Sequence, residues 1–462
     1  MASSSTVWIL TLGLCIALYV SQRKSRRRSI MPLPPGPKKL PFIGSVLSVP
    51  TKHPWETYMA WSKEYDSDIL HLDLAGQSLI ILCSTEATKD LLEKRSALYS
   101  DRPRLTMIVE LMGYDFLVVM KQYGDEWRAN RRLMNQDFGN QAKLSAFRPM
   151  QLDAAHKVLS VRRLDDVFSS VGHRDYIEDY VWNRTERQRR SICAACAVTL
   201  GDAGNALPLL KYVPSWMPGF KRDAARWRRI ARWSSILFPG SDHDSNSVFI
   251  QEAGIASPSF VANKLKSISA QQHSFYTEDT ICSMAGTLYL GGADTSVSTL
   301  SSFFLAILAN PQAMWNAQQE IYFVTEGTRL PSLEDYDLGR MPYVGALVKE
   351  VLRWRNVGPL GKHSRWSFYQ KIGPGVPHYI TLEDEYRGYR IPANSIVIGN
   401  AWAILHDENT YPDPLTFKPE RFLLPRADDK STGKWTPLCP SQRQHLDMVG
   451  AFALVDIWRV LR

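Results

Sequence analysis

The stretch Val344-Gly-Ala-Leu-Val-Lys-Glu-Val-Leu-Arg-Trp354 has a regular apolar pattern and decides how the rest of the chain is interpreted. Apolar residues recur at helical spacing and make one face of a helix, formed by Val344, Leu347, Val348 and Leu352. Glu350 and Arg353 lie three residues apart and therefore share a side of that helix. Taken alone, such a pair is most often an exposed ion pair that contributes about 0.3–0.5 kcal/mol. Its meaning depends on the motifs around it.

Three further motifs stand in a fixed order along the chain. Trp127-x-x-x-Arg131 comes first, Gly291-Gly-Ala-Asp-Thr-Ser296 comes second, and Phe417-Lys-Pro-Glu-Arg-Phe422 follows the helix. Pro419 in the last motif is expected to exclude regular structure, so that Arg421 is presented from a loop. The ordered set resembles the cytochrome P-450 superfamily of haem-thiolate monooxygenases, specifically its membrane-anchored fungal members, over nearly the whole chain.

The resemblance implies a mainly α structure, the P-450 fold, with a small β-rich subdomain and an N-terminal membrane anchor in front of it. Two alternating stretches, Ile69–Leu74 and Ser78–Cys83, predict paired strands of that subdomain. The 462 residues are 45% hydrophobic and have no low-complexity linker after residue 45, which favours one large domain. We predict an anchor over residues 1–22, a basic and proline-rich linker over 23–45, and the monooxygenase domain over 46–462, C-terminally truncated relative to the family.

The N-terminal charge pattern distinguishes a membrane anchor from a secretory leader. The apolar run Val7–Val20 is followed, not preceded, by the basic cluster Arg23–Arg28, and it has no clean small-residue cleavage site. That cluster holds part of the formal net charge of +9, and its position fits a membrane surface better than nucleic acid. We expect a single-pass protein of the endoplasmic reticulum membrane with a cytosolic catalytic domain. The six cysteines have no regular spacing and predict neither a disulfide framework nor a zinc site.

The resemblance implies haem b as the cofactor and assigns residues to it. Trp127 and Arg131 share one side of a helix, and His378 follows much later; the matching family positions bind the haem propionates. Without the family, the default interpretation of Arg128–Arg132 would be a set of surface arginines. A buried, fully paired charge triad that braces the core near the haem is implied as well, formed by Glu350, Arg353 and Arg421.

Asp294 and Thr295 lie in the middle of a long helix predicted over residues 280–308, where acidic and hydroxyl residues are poor helix formers. In the structural interpretation, Thr295 bonds back to a carbonyl and Asp294 caps a kink. In the functional interpretation, a widened helix lets this acid and this alcohol pass protons to the reacting dioxygen through water. The order of the motifs favours the catalytic role for both residues.

The iron ligand is the least regular part of the resemblance. Family members hold the haem iron with a cysteine thiolate in a loop of pattern F-G-x-G-R-R-x-C-P-G. This chain offers Thr436-Pro-Leu-Cys-Pro-Ser-Gln-Arg443, so Cys439 is assigned to the metal, although neither a glycine nor a basic pair precedes it. A two-nucleotide shift of the frame under His445–Trp458 permits Ser or Pro followed by G-Y-G-R-R-V-C-P-G-R-H-L-A. The alternative is that the true cysteine loop is encoded out of frame and that Cys439 is a coincidence.

Two other stretches depart from the family pattern. Residues 161–205 lack helical periodicity where relatives have a regular buried helix, and a one-nucleotide shift from Asp175 permits I-I-L-K-I-T-Y-G-I-E, which is similar to the family. Residues 362–375 separate Gly358–Gly361 from His378, and excising them restores the family spacing. The codons at both ends of this insertion can contain intron donor and acceptor signals. We interpret the first stretch as frame-shifted and the second as a retained intron.

The predicted reaction inserts one atom of dioxygen into an apolar small molecule, such as a terpenoid, polyketide or aromatic xenobiotic, and releases the other atom as water. Electrons would come from NADPH through a membrane-bound cytochrome P-450 reductase that docks on the basic proximal face, with cytochrome b5 as a second donor. No nucleic-acid partner is expected. Two alternatives stay open: a mis-spliced, catalytically inactive chain that does not bind haem, and a haem-thiolate isomerase, against which the Asp294–Thr295 pair argues.

Overall fold

The structure of the protein is a computed structural model, which describes residues 31–50, 53–139, 147–149, 152, 228, 260–261, 263–265, 276–356 and 377–423. In these ranges the α-helices are α1 Pro54–Glu64, α2 Thr85–Thr88, α3 Ser96–Tyr99, α4 Asp125–Phe138, α5 Glu278–Ala309, α6 Pro311–Thr325, α7 Leu333–Asp337, α8 Pro342–Trp354 and α9 Ala401–Leu405. The strands are β1 Ile69–Leu74, β2 Gln77–Leu82, β3 His378–Ile380, β4 Asp384–Tyr386, β5 Tyr389–Ile391 and β6 Ser395–Gly399. Shorter 3-10 and π-helical turns cover Val46–Ser48, Lys89–Lys94, Thr106–Leu111, Val118–Met120 and Pro419–Phe422.

Helices α5, α6 and α8 pack around a shared apolar core, and the predicted face of α8 supplies a large part of it. Buried members of this core are Phe303, Ala306, Ile307, Ala313, Ala317, Ile321, Val344, Leu347, Val348, Val351 and Phe417. Glu320 of α6 accepts hydrogen bonds from the first N–H groups of α8, those of Tyr343 and Val344, at 2.8 Å each. These N–H groups have no partner inside a helix, so the carboxylate both caps α8 and fixes it against α6.

Strands from two distant parts of the chain form one four-stranded sheet in the order β1-β2-β6-β3. β1 and β2 are antiparallel and joined by a tight turn at Ala75 and Gly76, both at positive φ, as a two-residue hairpin requires. β2 pairs with β6 in parallel, and β6 pairs with β3 in the antiparallel sense. The outer strand β3, which begins with His378, also forms an isolated antiparallel bridge through Tyr379 to Asp101, far earlier in the chain.

The predicted elements are observed with small shifts. The strands predicted at Ile69–Leu74 and Ser78–Cys83 are found at Ile69–Leu74 and Gln77–Leu82, and the helix predicted over 280–308 runs from 278 to 309. One expectation was wrong: Pro419 does not exclude regular structure, because it opens a 3-10 turn over Pro419–Phe422. Proline is tolerated at the first position of a helical turn, where its missing N–H would have no partner anyway.

The N-terminal part of the described chain lies against the sheet. The carbonyls of Pro32 and Pro35 accept hydrogen bonds from the N–H groups of Arg390 and His71, at 2.8 and 2.9 Å. A Cβ added to Gly36 would lie 2.1 Å from the His71 carbonyl oxygen, so only glycine permits this approach. Among the described residues, no helix has the length and apolarity needed to cross a bilayer.

Several predictions concern residues outside the described part of the structure. These are the anchor over 1–22, the basic cluster at 23–28, the stretches 161–205 and 362–375, and Cys439. The domain boundaries at residues 22 and 45 likewise stay predictions. The remaining candidate site residues lie within the described ranges.

Candidate functional site

Glu350 and Arg353 form a buried pair on α8, with exposed fractions of 0% and 1%. Arg353 donates from Nε and Nη2 to the two carboxylate oxygens of Glu350, at 2.7 and 2.8 Å, and from Nη1 to the carbonyl of Leu405 at 2.9 Å. Arg421 donates from Nε to Glu350 Oε1 at 3.2 Å, and the backbone N–H of Lys418 donates to the same oxygen at 2.8 Å. The exposed-pair interpretation is therefore wrong for this chain: both buried charges are fully hydrogen-bonded, which makes their burial tolerable.

A histidine that the sequence motifs did not indicate packs beside this triad. His406 stacks on Trp402 with ring centroids 3.7 Å apart, and its Nδ1–H donates to the Trp402 carbonyl at 3.0 Å. Burial lowers the pKa of His406 to about 3, and the nearby Arg353 guanidinium adds to that shift. The imidazole is consequently neutral, so it adds no further positive charge next to Arg353.

Helix α5 carries Thr295, whose exposed fraction is 1%, at its middle. The Thr295 hydroxyl donates to the carbonyl of Gly291 at 2.7 Å, and Thr299 repeats the arrangement one turn later, donating to the Thr295 carbonyl at 2.9 Å. Asp294 is a member of the same helix, and its side chain lies outside the described part of the structure. The bond back to Gly291 is the one expected in the structural interpretation of Thr295, and the helix continues through this region without a break.

Trp127 and Arg131 both line a single open groove on α4, as their spacing predicted. The residues of this groove are Trp127, Arg128, Arg131, Arg132, Asn135 and Gln136. Trp127 packs against the ring of Tyr123, with centroids 5.2 Å apart, and Arg128 lies over the same ring. The groove thus combines an indole with several guanidinium groups, which are donors suited to carboxylates.

His378 lies at the start of β3, with its Nδ1–H donating to the carbonyl of Tyr99 at 2.7 Å. Burial lowers the pKa of His378 to about 4, and the positive charge of Arg102 adds to the shift. The ring is therefore neutral at pH 7, and its Nε2 can donate to a carboxylate only after taking up a proton. An anion bound at this place would favour that proton uptake by opposing the charge of Arg102.

Arg102 is a site residue that sequence reasoning missed. Its Nη1 donates to the Pro377 carbonyl at 2.9 Å, next to His378. Burial lowers the pKa of Arg102 to about 10, while the Asp101 carboxylate opposes that shift. The sequence signal was weak, since Arg102 precedes a proline at the start of a variable segment and belongs to no periodic pattern.

The donor set fits a group that carries two carboxylates. Arg102 and His378 are neighbours, Trp127 and Arg131 line the groove on α4, and the segment that holds Arg102 is hydrogen-bonded to Tyr123 just before α4, through Asp101 at 3.1 Å. Guanidinium, indole and imidazole groups are the usual partners of carboxylates in partly buried sites. These four residues would therefore hold the propionates of a haem.

The chain is similar to known proteins over most of its length. The sequence model of the cytochrome P-450 family matches residues 34–183, 254–366 and 368–438. Cytochrome P-450 monooxygenase 98 of Postia placenta is 36% identical over 97% of this chain and 84% of its own length. Tryptamine 4-monooxygenase of Psilocybe cyanescens is 33% identical over 90% of this chain and 80% of its own, and cytochrome P-450 monooxygenase ple1 of Rhodocybe pseudopiperita is 36% identical over 88% and 76%.

The chain belongs to the cytochrome P-450 family, which confirms the resemblance and the helix-rich fold with a smaller β part. Its relatives above are fungal monooxygenases, so its class is that of the haem-thiolate monooxygenases. This family implies a haem cofactor, a redox partner that supplies electrons and a hydrophobic substrate.

The ranges matched by the family model bear on the irregular stretches. The match ends at residue 438, directly before Cys439, and it omits residues 184–253. Residues 161–183 are matched, and so are residues 362–375 except for 367. The frame shift and the retained intron stay predictions, and so does the assignment of Cys439 to the iron.

Proposed function

We propose that the chain binds haem b and uses NADPH-derived electrons to insert one oxygen atom of dioxygen into an apolar small molecule. The observation that carries this proposal is a set of carboxylate-binding donors: Trp127 and Arg131 on α4, and the neighbours Arg102 and His378. A hydrogen bond from the N–H of Tyr123 to Asp101 connects the segment of Arg102 to the start of α4. Bound haem would supply the oxygen-activating chemistry, and the protein would orient it through its two propionates. The triad of Glu350 and Arg353 on α8 with Arg421 in the turn Pro419–Phe422 would brace the surrounding core.

Thr295 would hold and transfer the proton that dioxygen activation requires. Its hydroxyl is buried in the middle of α5 and donates to Gly291 in the present arrangement. A hydroxyl can donate one hydrogen bond and accept others. The oxygen of Thr295 can therefore accept a hydrogen bond from a second group while its own proton is donated to the Gly291 carbonyl. Asp294, next to it in the helix, would be the acid that resupplies that proton.

The substrate class rests on the family and its relatives. One relative at 33% identity is named for action on tryptamine, an aromatic amine. An aromatic or terpenoid molecule of secondary metabolism, a polyketide or an apolar xenobiotic fits the same class. The protein would act on it at the endoplasmic reticulum membrane, with the anchor over residues 1–22 inserted and the catalytic domain in the cytosol.

The electron donor would be an NADPH-cytochrome P-450 reductase, with cytochrome b5 as a second donor. The exposed face of α4 carries Arg128 and Arg132, and Lys121 lies just before this helix. An acidic flavoprotein surface is complementary to such a basic face, and electrostatic attraction mainly raises the rate of association. Electron transfer from the reductase should therefore slow as salt concentration rises.

A second candidate function is that the chain is an inactive product of mis-splicing that does not bind haem. The observation that favours it is the end of the family match at residue 438, together with the missing glycine and basic pair before Cys439. An isomerase that needs no external reductant is less favoured, because Asp294 and Thr295 supply the acid and the hydroxyl that dioxygen chemistry uses.

The carbon monoxide difference spectrum of the reduced, full-length chain separates these candidates, with the Cys439→Ser variant beside it. A thiolate-type Soret band in the parent chain that disappears in the variant would assign the iron ligand to Cys439. No such band in the parent would support the inactive chain. In that case, replacing residues 445–458 by the shifted-frame sequence should restore the band.

A further inference from the structure

Asp101 is hydrogen-bonded to the backbone of three residues, Arg102, Tyr123 and Tyr379, that belong to or adjoin the elements carrying the carboxylate-binding donors. Its Oδ1 accepts the backbone N–H of Arg102 at 2.8 Å and the backbone N–H of Tyr123 at 3.1 Å. Its own carbonyl accepts the N–H of Tyr379 at 2.8 Å, within an isolated antiparallel bridge between residues 101 and 379. One residue thus connects β3 to the segment that leads into α4.

Each of these hydrogen bonds holds the backbone at or close to a residue that would donate to a haem propionate. Tyr379 follows His378 directly on β3, so the bridge to Asp101 holds the strand that presents the imidazole. Tyr123 precedes α4 and packs its ring against Trp127. The bond to the N–H of Arg102 orients the backbone from which that guanidinium extends. Removing the Asp101 acceptor would therefore loosen the spacing between the two halves of the site, without removing any donor.

We propose that Asp101 is a positioning residue that keeps the His378 and Arg102 side of the propionate site at the correct distance from the Trp127 and Arg131 side. This proposal rests on the proposed haem-binding function. Asp101 itself would not touch the haem, because its Oδ1 is occupied by two backbone N–H groups. Its effect would be transmitted through the backbone of residues 102, 123 and 379.

The arrangement indicates that the acceptor oxygen matters more than the negative charge. Both side-chain bonds end on Oδ1, and the amide oxygen of asparagine can accept the same two N–H groups. Asp101→Asn should therefore preserve the positioning, whereas Asp101→Ala should abolish it. Asp279→Ala is a matched control, because Asp279 is an exposed aspartate in the first turn of α5.

The test titrates two ligands into the full-length chain produced under haem limitation: haem, and haem whose two propionates are methyl esters. Asp101→Ala should weaken the binding of haem by about tenfold, the effect expected for two lost hydrogen bonds. It should leave binding of the dimethyl ester within about twofold of the parent chain, because the ester lacks the carboxylates to be positioned. Asp101→Asn and Asp279→Ala should bind both ligands like the parent.

Other results overturn the proposal in distinguishable ways. Equal weakening of haem and of its dimethyl ester by Asp101→Ala would assign a general structural role to Asp101. Weakening of haem by Asp101→Asn as strong as that by Asp101→Ala would show that the charge, not the positioning, is responsible. If the parent chain binds neither ligand, the proposed function fails and this inference fails with it.

Discussion

Glu350 accepts hydrogen bonds from two arginine side chains and from the backbone N–H of Lys418. It is therefore the residue at which α8 meets the turn Pro419–Phe422. Among the described residues, neither arginine pairs with another carboxylate, and their remaining bonds go to backbone carbonyls of Leu405, Pro412, Asp413 and Thr416. A change at Glu350 would thus leave two positive charges next to each other in the core.

The first prediction is that Glu350→Gln strongly destabilises the protein. The amide cannot neutralise Arg353 and Arg421, and breaking a buried ion pair in this way costs about 3–5 kcal/mol. The measurement is the free energy of unfolding from denaturant titration, followed by far-ultraviolet circular dichroism. Glu408→Gln is the matched control, because Glu408 pairs with Lys63 at 2.9 Å where both side chains are about two-thirds exposed. That change should cost less than about 1 kcal/mol; equal losses would contradict a special role for the buried pair.

The second prediction concerns acid sensitivity. The pKa of His378 in the folded chain is lowered to about 4, from the usual value near 6.5, so the unfolded chain binds more protons between these pH values. The contribution of His378 to stability is therefore complete above pH 6.5 and decreases as the pH falls toward 4. The expected loss between pH 7 and pH 5 is about 2 kcal/mol.

His378→Gln removes this titration and keeps an N–H group that can donate to the Tyr99 carbonyl. Its free energy of unfolding, measured without haem, should change less between pH 7 and pH 5 than that of the parent chain. His406 shifts in the same direction, so part of the acid sensitivity should remain in the variant. Identical pH dependence in the two proteins would mean that His378 is not buried as described.

At the scale of elements, two threonines of α5 distinguish the structural from the catalytic interpretation of the Thr295 hydroxyl. Thr295 and Thr299 are both 1% exposed and both donate to the carbonyl four residues earlier. If these hydroxyls only served the helix, the two residues would be equivalent. The catalytic interpretation predicts that they differ, since Thr295 alone follows Asp294 in the motif.

The third prediction is that Thr295→Ala uncouples NADPH use from product formation. The variant should consume NADPH while forming severalfold less product per NADPH, because a proton-transferring group has been removed. Thr299→Ala should lose a similar bond within the helix and remain coupled. Product and NADPH are both measured in the reductase-supported reaction. Equal coupling in the two variants would refute the proton-transfer role.

The helices and strands could be predicted largely from local patterns, whereas the contacts of the site could not. The apolar period of Val344–Trp354 reflects one buried helix face, and the strand-like composition of Ile69–Leu74 is local too, so both are visible in a single stretch. Arg102 and Asp101 belong to no periodic pattern. Their partners, residues 377 and 379, are far away in the sequence and come close only in the folded chain. The pairing of Arg421 with Glu350 was predicted from the resemblance to the family, not from the spacing of the two residues in the sequence.

At the scale of the whole molecule, residues 362–375 are predicted to be a retained intron. The described chain stops at Asn356 and resumes at Pro377, whose carbonyl accepts from Arg102. On this prediction the fourteen residues lengthen the connection, and a longer connection has a higher entropy cost of closure. That cost grows with the logarithm of loop length, so the effect is modest.

The fourth prediction is that deleting residues 362–375 raises the free energy of unfolding by about 1 kcal/mol. Haem affinity should not decrease, because His378 and Arg102 remain on their strand and segment. A Gly-Ser sequence of equal length in place of the fourteen residues is the control and should behave like the parent. A loss of soluble protein on deletion, without loss in the control, would show that the connection needs its length but not its sequence.

The parallel pairing of β2 with β6 has a consequence for folding during synthesis on the ribosome. Gln77 and Asn394, which flank this pairing, are 317 residues apart in the chain. At about 5–20 residues per second, translation leaves the apolar edge of β2 without its neighbour for roughly 15–60 s. During that time the unpaired edge of β2 can pair with strands of other chains. A change of reading frame between the two strands that is not restored before β6 would leave β2 permanently without this neighbour.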